Sequence, residues 1–366
     1  MIMQQNLDNW SQNGNKLLFK YKNFTIYFDM PDWWKIEETH PTLIKLAEFL
    51  IIGPLIKDGY KMNDILKWEK RPFGTKTGLS FSTGVDSTAA MLLLPEDTIL
   101  YYNKRKDGLC SMIDQSNALN MIKKMDRYVH VIESNHEAIR SLFGHRVGFT
   151  TDYACAVGLI LMADQLDLGN IATGTMLGST FVYKGARFIE YIGCDKQLRW
   201  EKIFHQAGLN IIMPVAGCSE VITNKIVQQS EFKDLSYSCI RGKLGTACNE
   251  CFKCYRKNLL NGTVSDMSEE IIRNLKIKPV HQGDSLLYGL QKNNIMVDEM
   301  VDFKDIDMSW MDRYYDRGLE LVVPEIREHI IKKLDKYGIK PMDNEDVKKM
   351  KEYSIDSNSK SVLDNI

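Results

Sequence analysis

Cys239, Cys248, Cys251 and Cys254 are spaced C-x8-C-x2-C-x2-C, which suits one tetrahedral thiolate site. Tetrahedral Zn2+ takes four soft ligands at about 2.3 Å, and each C-x2-C turn brings two sulfurs onto one ion. Four thiolates leave no ligand position for a reactive water, so the spacing predicts a closed structural zinc centre. An iron–sulfur cluster is the alternative occupant, since the same spacing can hold one. A disulfide ladder requires an oxidising compartment. The opening MIMQQNLDNWSQNGNKLLF has neither a charged n-region with an apolar core nor a cleavage signature, which predicts a cytoplasmic setting. Cys110, Cys155, Cys194 and Cys218 are scattered and read as free thiols.

A second group of residues lies upstream. The apolar run Gly78-Leu79-Ser80-Phe81 passes into Ser82-Thr83-Gly84-Val85-Asp86-Ser87 and then into a helical pattern over 88–94. A turn from strand to helix directs free backbone N–H groups and the positive helix end at one point, and hydroxyls add further donors. Its natural occupant is a phosphate. No GK[ST] closes the turn, so it is not a Walker A loop. Gly74-Thr75-Lys76-Thr77-Gly78 precedes the strand instead of opening a helix and reads as a connector. Within the loop, Asp86 has two readings, as a hard oxygen ligand for Mg2+ or as a helix cap.

The surrounding pattern is that of an α/β protein with a parallel sheet. Strand signals at 98–102, 128–133 and 170–176 alternate with helical signals at 114–125 and 152–166. In such sheets ligands bind beyond the carboxyl ends of strands. That places the 82–87 loop and the Tyr101-Tyr102-Asn103 strand end in one crevice, with Tyr102 a nucleotide-contacting residue.

With these residues in hand, the chain resembles the PP-loop ATP pyrophosphatases, whose SGGxDS loop is matched by Ser82, Thr83, Gly84, Val85, Asp86 and Ser87. It looks closest to the QueC-like branch, the 7-cyano-7-deazaguanine synthases, which pair that loop with a C-terminal cysteine cluster. The block Tyr237-Ser238-Cys239 followed by Cys248, Cys251 and Cys254 looks like the branch's zinc signature. Met213-Pro214-Val215 leading to Val221-Ile222-Thr223-Asn224-Lys225 is similar to its proline-marked strand end and following helix. The resemblance covers about residues 77 to 260, roughly half the chain. It implies a HUP-type core, like that of the adenine nucleotide alpha hydrolases, with ATP, Mg2+ and Zn2+ as cofactors.

The activity so implied is an ATP-dependent carbon–nitrogen ligase. A carboxylate is adenylated, pyrophosphate leaves, and ammonia or an amine takes the acyl group. Residues 82–87 would hold the developing charge of pyrophosphate. Two positions depart from the family pattern. Thr83 replaces the first loop glycine, which calls for a backbone conformation open to a β-branched residue or for a relaxed loop. The segment Tyr183-Lys184-Gly185-Ala186-Arg187-Phe188 stands where deazaguanine-making members have a YPDCR-like stretch, and only Tyr183 or Arg187 could match. Lys184 and Arg187 become candidates to pair with the substrate carboxylate or the α-phosphate, beside the plainer reading of solvated surface charges. Lys225, expected near a helix start, is a similar candidate.

Three regions position these groups. Residues 1–72 form a small α+β region. It has an alternating hairpin at 17–28 around Lys22-Asn23, a Trp33-Trp34 pair that reads as core, and a helix at 42–56. Residues 73–262 form the nucleotide-binding core with the zinc cluster. Residues 263–366 form a helical region with helices expected at 269–275, 285–291, 308–317 and 324–337 and a polar, frayed end from 343. With 47 Lys+Arg against 48 Asp+Glu, charge does not favour nucleic acid as a partner or RNA sulfur transfer as the reaction. The apolar stretch 43–55 is broken by Lys45 and Glu48, so no membrane span is expected. Remaining alternatives are conjugation of a deazapurine-like acid or other carboxylate to a protein or amino-sugar acceptor through the flanking regions, a homodimer made by those regions, and a zinc-stapled interaction module with a degenerate nucleotide loop.

Overall fold

The computed structural model describes residues 9–55, 61–106, 113–138 and 153–355. Cys110 and the last eleven residues of the polar end lie outside them. The scaffold is an eight-stranded sheet. In chain order its strands are β1 (Trp10–Asn13), β2 (Lys16–Tyr21), β3 (Phe24–Asp29), β4 (Lys76–Ser80), β5 (Ile99–Arg105), β6 (Val129–Ser134), β7 (Leu168–Thr173) and β10 (Asn210–Ile212); the spatial order is β1-β2-β3-β6-β5-β4-β7-β10. Strands β6, β5, β4, β7 and β10 run parallel. β3 adds antiparallel to β6 through Phe28 and Ser134, so the N-terminal hairpin is continuous with the sheet. The hairpin turns at Lys22, whose φ of 53° supplies the left-handed bend of a two-residue loop.

The chain lays β4 in the centre, builds β5 and β6 outward on one side, and then returns to place β7 and β10 on the other. The order therefore reverses between β4 and β7. Crevices at the carboxyl ends of strands flanking such a reversal are where α/β sheets bind ligands.

Alternate strand residues feed two helical layers. Tyr101 and Ile171 face α1 (Pro41–Ile52), α5 (Val157–Leu161) and α6 (Asp195–Gln206). Leu79, Leu100, Tyr102, Ala172 and Ile212 face α3 (Val85–Leu93), α4 (Ser116–Lys124), α7 (Glu220–Gln228) and α11 (Pro324–Lys336). A short helix α2 (Met62–Ile65) lies between α1 and β4 in the chain. Beyond the sheet come α8 (Phe252–Leu260), α9 (Glu269–Leu275), α10 (Gly283–Lys292) and α12 (Asn344–Glu352). α8 packs on α10, and α11 packs on α3, so the C-terminal helices close over the core.

Several expectations change. The helix expected over 152–166 is a 3-10 turn, Ala154–Ala156, followed by the brief α5. The helix expected over 308–317 is two 3-10 turns, Ser309–Asp312 and Asp316–Leu321. Between them Tyr314 is extended: it donates to Lys340 O at 3.0 Å and accepts from Met342 N at 2.8 Å. Inter-segment pairing has overridden the helical pattern there. The polar end is ordered through α12, which starts with a capping box between Asp343 and Asp346. Of the tryptophan pair, Trp34 is fully buried and donates to Leu161 O at 2.7 Å, whereas Trp33 is exposed. Among the described residues, no helix is long and apolar enough to cross a membrane.

Candidate functional site

The 82–87 loop leaves the carboxyl end of β4 beside the sheet's reversal point and opens α3, as the sequence predicts. Thr83 holds φ at +62°, so the position keeps a glycine-like left-handed backbone despite its β-branched side chain. The conformation expected to suit threonine is not the one adopted. Two contacts hold it: Thr83 O accepts from Ser236 Oγ at 3.0 Å and from Thr88 Oγ1 at 3.3 Å. Both oppose a left-handed penalty of roughly 1–2 kcal/mol.

Ser87 Oγ donates to Gly84 O at 3.0 Å and lies 2.9 Å from Ser82 Oγ. A hydroxyl has one proton, so Ser82 must be the donor to Ser87. Val85 N–H is occupied by Ser238 Oγ at 3.2 Å and is not free for a ligand. The amides of Asp86 and Ser87, in the first turn of α3, have no acceptor among the described residues. Gly174, just past β7, packs against this turn; a Cβ there would lie 2.7 Å from Ser87 N. Only glycine lets the β7 end approach so closely.

Asp86 is not the helix cap. Gly84 occupies the N-cap without a side-chain bond, and Asp86 Oδ1 accepts from Thr223 Oγ1 at 2.7 Å. Lys257 Nζ stands 3.7 Å from the same oxygen and 3.0 Å from Glu220 Oε1. Glu220 also accepts from Ser285 Oγ at 2.6 Å and from Arg256 Nη1. Burial by itself would raise the Glu220 pKa, but the charges of Arg256 and Lys257 outweigh it and hold the carboxyl well below its usual range. At the neighbouring Asp284 burial outweighs the charge of Arg256 and pushes the carboxyl up to about 7.

The four predicted cysteines converge. Their sulfurs all lie within 4.8 Å of one another, with Cys251–Cys254 at 3.5 Å and Cys248–Cys254 at 3.7 Å. A tetrahedron with bonds of about 2.3 Å has edges of about 3.8 Å, whereas a disulfide would need about 2.05 Å. The donor set therefore fits a metal and not a ladder. Backbone amides of Arg241 and Cys248 point at Cys239 Sγ from 3.4 and 3.5 Å. Cys251 occupies the N-cap position of α8 and Cys254 lies in its first turn, so the cluster fixes the helix that carries Arg256 and Lys257.

The other predicted residues lie in different surroundings. Lys184 and Arg187 sit on a separate hairpin, β8 (Val182–Tyr183) with β9 (Arg187–Phe188). Lys184 is exposed over the Tyr183 ring at 5.0 Å, and its carbonyl accepts from Gln282 N; Arg187 bridges to Ser354. Tyr102 is not at a strand end, because β5 continues to Arg105. It is buried in the core, donates to Gln115 Oε1 at 3.2 Å and is pushed up to about 12 by burial. Lys225 lies late in α7 and is exposed. Sequence reasoning missed Glu220, Arg256, Lys257, Ser236 and the Ser238 contact, although Ser238 and Arg256-Lys257 flank the cysteine run closely. A cavity of about 210 Å³ between α6, β10 and residues 320–327 contains none of the predicted site residues.

The family model described as "Family of unknown function (DUF6395)" matches residues 199–354. Its span takes in α7, the cysteine cluster and the elements through α12, and begins after the 82–87 loop. No curated protein matches the chain.

Proposed function

We propose that this chain is an ATP-dependent carbon–nitrogen ligase of the PP-loop class, nearest in chemistry to the 7-cyano-7-deazaguanine synthases. A substrate carboxylate oxygen bonds to the α-phosphorus of ATP, the α–β anhydride bond breaks, and pyrophosphate takes the bonding pair. Ammonia or an amine then attacks the acyl carbon, AMP departs with the C–O bonding pair, and the nitrogen loses its extra proton to solvent. The observation that carries this reading is the position of the 82–87 loop. It leaves the central strand at the sheet's reversal point and presents the Asp86 and Ser87 amides, unpaired among the described residues, at the start of a nine-residue helix. Such amides suit the charge developing on a phosphate leaving group.

The chain's groups divide the work as follows. Asp86 and Ser87 amides receive phosphate oxygens, and Ser82 can turn its hydroxyl proton from Ser87 toward one. Asp86 is the loop's carboxylate and the residue that would hold Mg2+, whose chemistry when bound is neutralisation of phosphate charge; one carboxylate plus substrate oxygens is a common Mg2+ arrangement. Zn2+ at Cys239, Cys248, Cys251 and Cys254 is structural, since four protein sulfurs complete its shell. The cytoplasm is the compartment that suits free thiolates and ATP.

The direct test supplies 7-carboxy-7-deazaguanine, ATP, Mg2+ and ammonia and analyses the products. Formation of AMP, pyrophosphate and the amide or nitrile is expected. ATP consumption only with another acid, or only with a protein acceptor, would relocate the substrate while keeping the adenylation; no ATP consumption with any of these would remove the ligase reading.

A further inference from the structure

Lys257 is only 8% exposed, and its ammonium lies between two carboxylates, Glu220 at 3.0 Å and Asp86 at 3.7 Å. The Glu220 contact is a close ion pair that helps hold that carboxyl down, but its geometry is poor for a hydrogen bond, and Asp86 lies beyond hydrogen-bond reach. An ammonium has three donors, and leaving them undirected inside a protein is costly. Glu220 does not require them all, because Arg256 Nη1 and Ser285 Oγ already donate to its other oxygen. Asp86 belongs to the first turn of α3, whose own amides at Asp86 and Ser87 are without acceptors among the described residues. A buried cation that is paired with Glu220 but has donors to spare thus stands beside a helix start with amides that lack acceptors among the described residues. Both features call for the same thing, an oxyanion.

Lys257 reaches this position because of the cysteine cluster. Cys251 occupies the N-cap position of α8, and Cys254 precedes Lys257 by three residues, a separation that puts the two side chains on one helix face about 4.5 Å apart along the axis. The segment before the first cysteine closes the other side, with Ser236 on Thr83 O and Ser238 on Val85 N. The cluster therefore grips the loop from two directions.

We infer that Lys257 is an anion-binding residue of the 82–87 loop, taking a phosphate oxygen of pyrophosphate or of a nucleoside triphosphate, and that the cysteine-bound metal holds it there. This rests on the loop being a phosphate site, as in the proposed function, and adds the cation and its dependence on the metal centre.

The test is calorimetric titration of the zinc-loaded full chain with inorganic pyrophosphate, for the wild type, Lys257→Gln and Lys257→Arg, with zinc content and melting measured alongside. Loss of one charge-assisted bond predicts at least ~10-fold weaker binding in Lys257→Gln, with partial recovery in Lys257→Arg and unchanged zinc content. Equal affinity in wild type and Lys257→Gln overturns the inference and leaves the ligase reading standing. Wild-type protein that binds neither pyrophosphate nor ATP overturns both. Should Lys257→Gln not fold, the Nζ resonance of Lys257 in 15N-lysine-labelled wild type, assigned with Lys257→Arg, is read instead: it moves on adding pyrophosphate if the inference holds, and its failure to move overturns it.

Discussion

Lys257 Nζ lies 3.7 Å from Asp86 Oδ1, which joins the helix leaving the cysteine cluster to the first turn of the helix opened by the loop. Two motifs distant in sequence are in this way parts of one site.

Ser87 sits at the centre of the loop's hydroxyl chain. Ser87→Ala removes the hydroxyl that holds Ser82 Oγ, the loop's side-chain donor to phosphate, in place, and is expected to leave the fold intact while lowering AMP release at least ~10²-fold, the scale of one lost oxyanion donor. Steady-state AMP assay with far-UV circular dichroism as the fold control checks it. Undiminished release would make the loop a simple strand-to-helix junction.

Metal analysis of protein purified without chelator should give about one zinc per chain and no iron or labile sulfide. Cys251→Ser removes a ligand and the folding free energy it carries, so that variant should lose zinc and melt far lower. Cys194→Ser, at a half-buried thiol outside the cluster, should do neither. A well-folded, metal-free Cys251→Ser protein would refute the structural role.

Why these two motifs were readable and their connection was not is a matter of sequence distance. The cysteines are ligands within one short run, and a strand, small-residue loop and helix are contiguous, so spacing alone carries both. The bond from Thr223 to Asp86 spans 137 residues and has no periodic signature. Nothing in the local sequence distinguishes Lys257 from a helix-surface lysine, and only tertiary packing buries it. Tyr102 was misplaced because strand ends are weakly marked, and Gln115 extends the strand by binding both backbone groups of Arg105. Helical periodicity at 308–317 lost to pairing of Tyr314 with a segment far along the chain.

Glu220 compensates two buried cations at once. Glu220→Gln leaves Arg256 without its carboxylate and Lys257 with the more distant Asp86 alone, and should destabilise the chain by about 3–5 kcal/mol in urea unfolding. A loss below about 1 kcal/mol would mean the charges are not held as described.

Asp284 gives a pH dependence of opposite sign to that of a paired carboxylate. Its folded pKa is raised from 3.8 to about 7, so between those values the native chain holds a proton that the unfolded chain has lost. Stability therefore falls as pH rises through this window, by at most on the order of 4 kcal/mol. Asp284→Asn removes that slope and should be more stable than wild type at pH 8 while matching it near pH 4. Parallel melting profiles for the two proteins across this range would show that Asp284 is ionised in the native state throughout.

The central claim is that the loop supports reversible adenylation of a carboxylate, and pyrophosphate–ATP exchange reads that step alone, before any acceptor acts. With 7-carboxy-7-deazaguanine and Mg2+ but no ammonia, labelled pyrophosphate should enter ATP in a reaction that depends on the acid and falls at least ~10²-fold in Ser87→Ala. Exchange that is absent with the acid, or equally fast in its absence, would contradict the account.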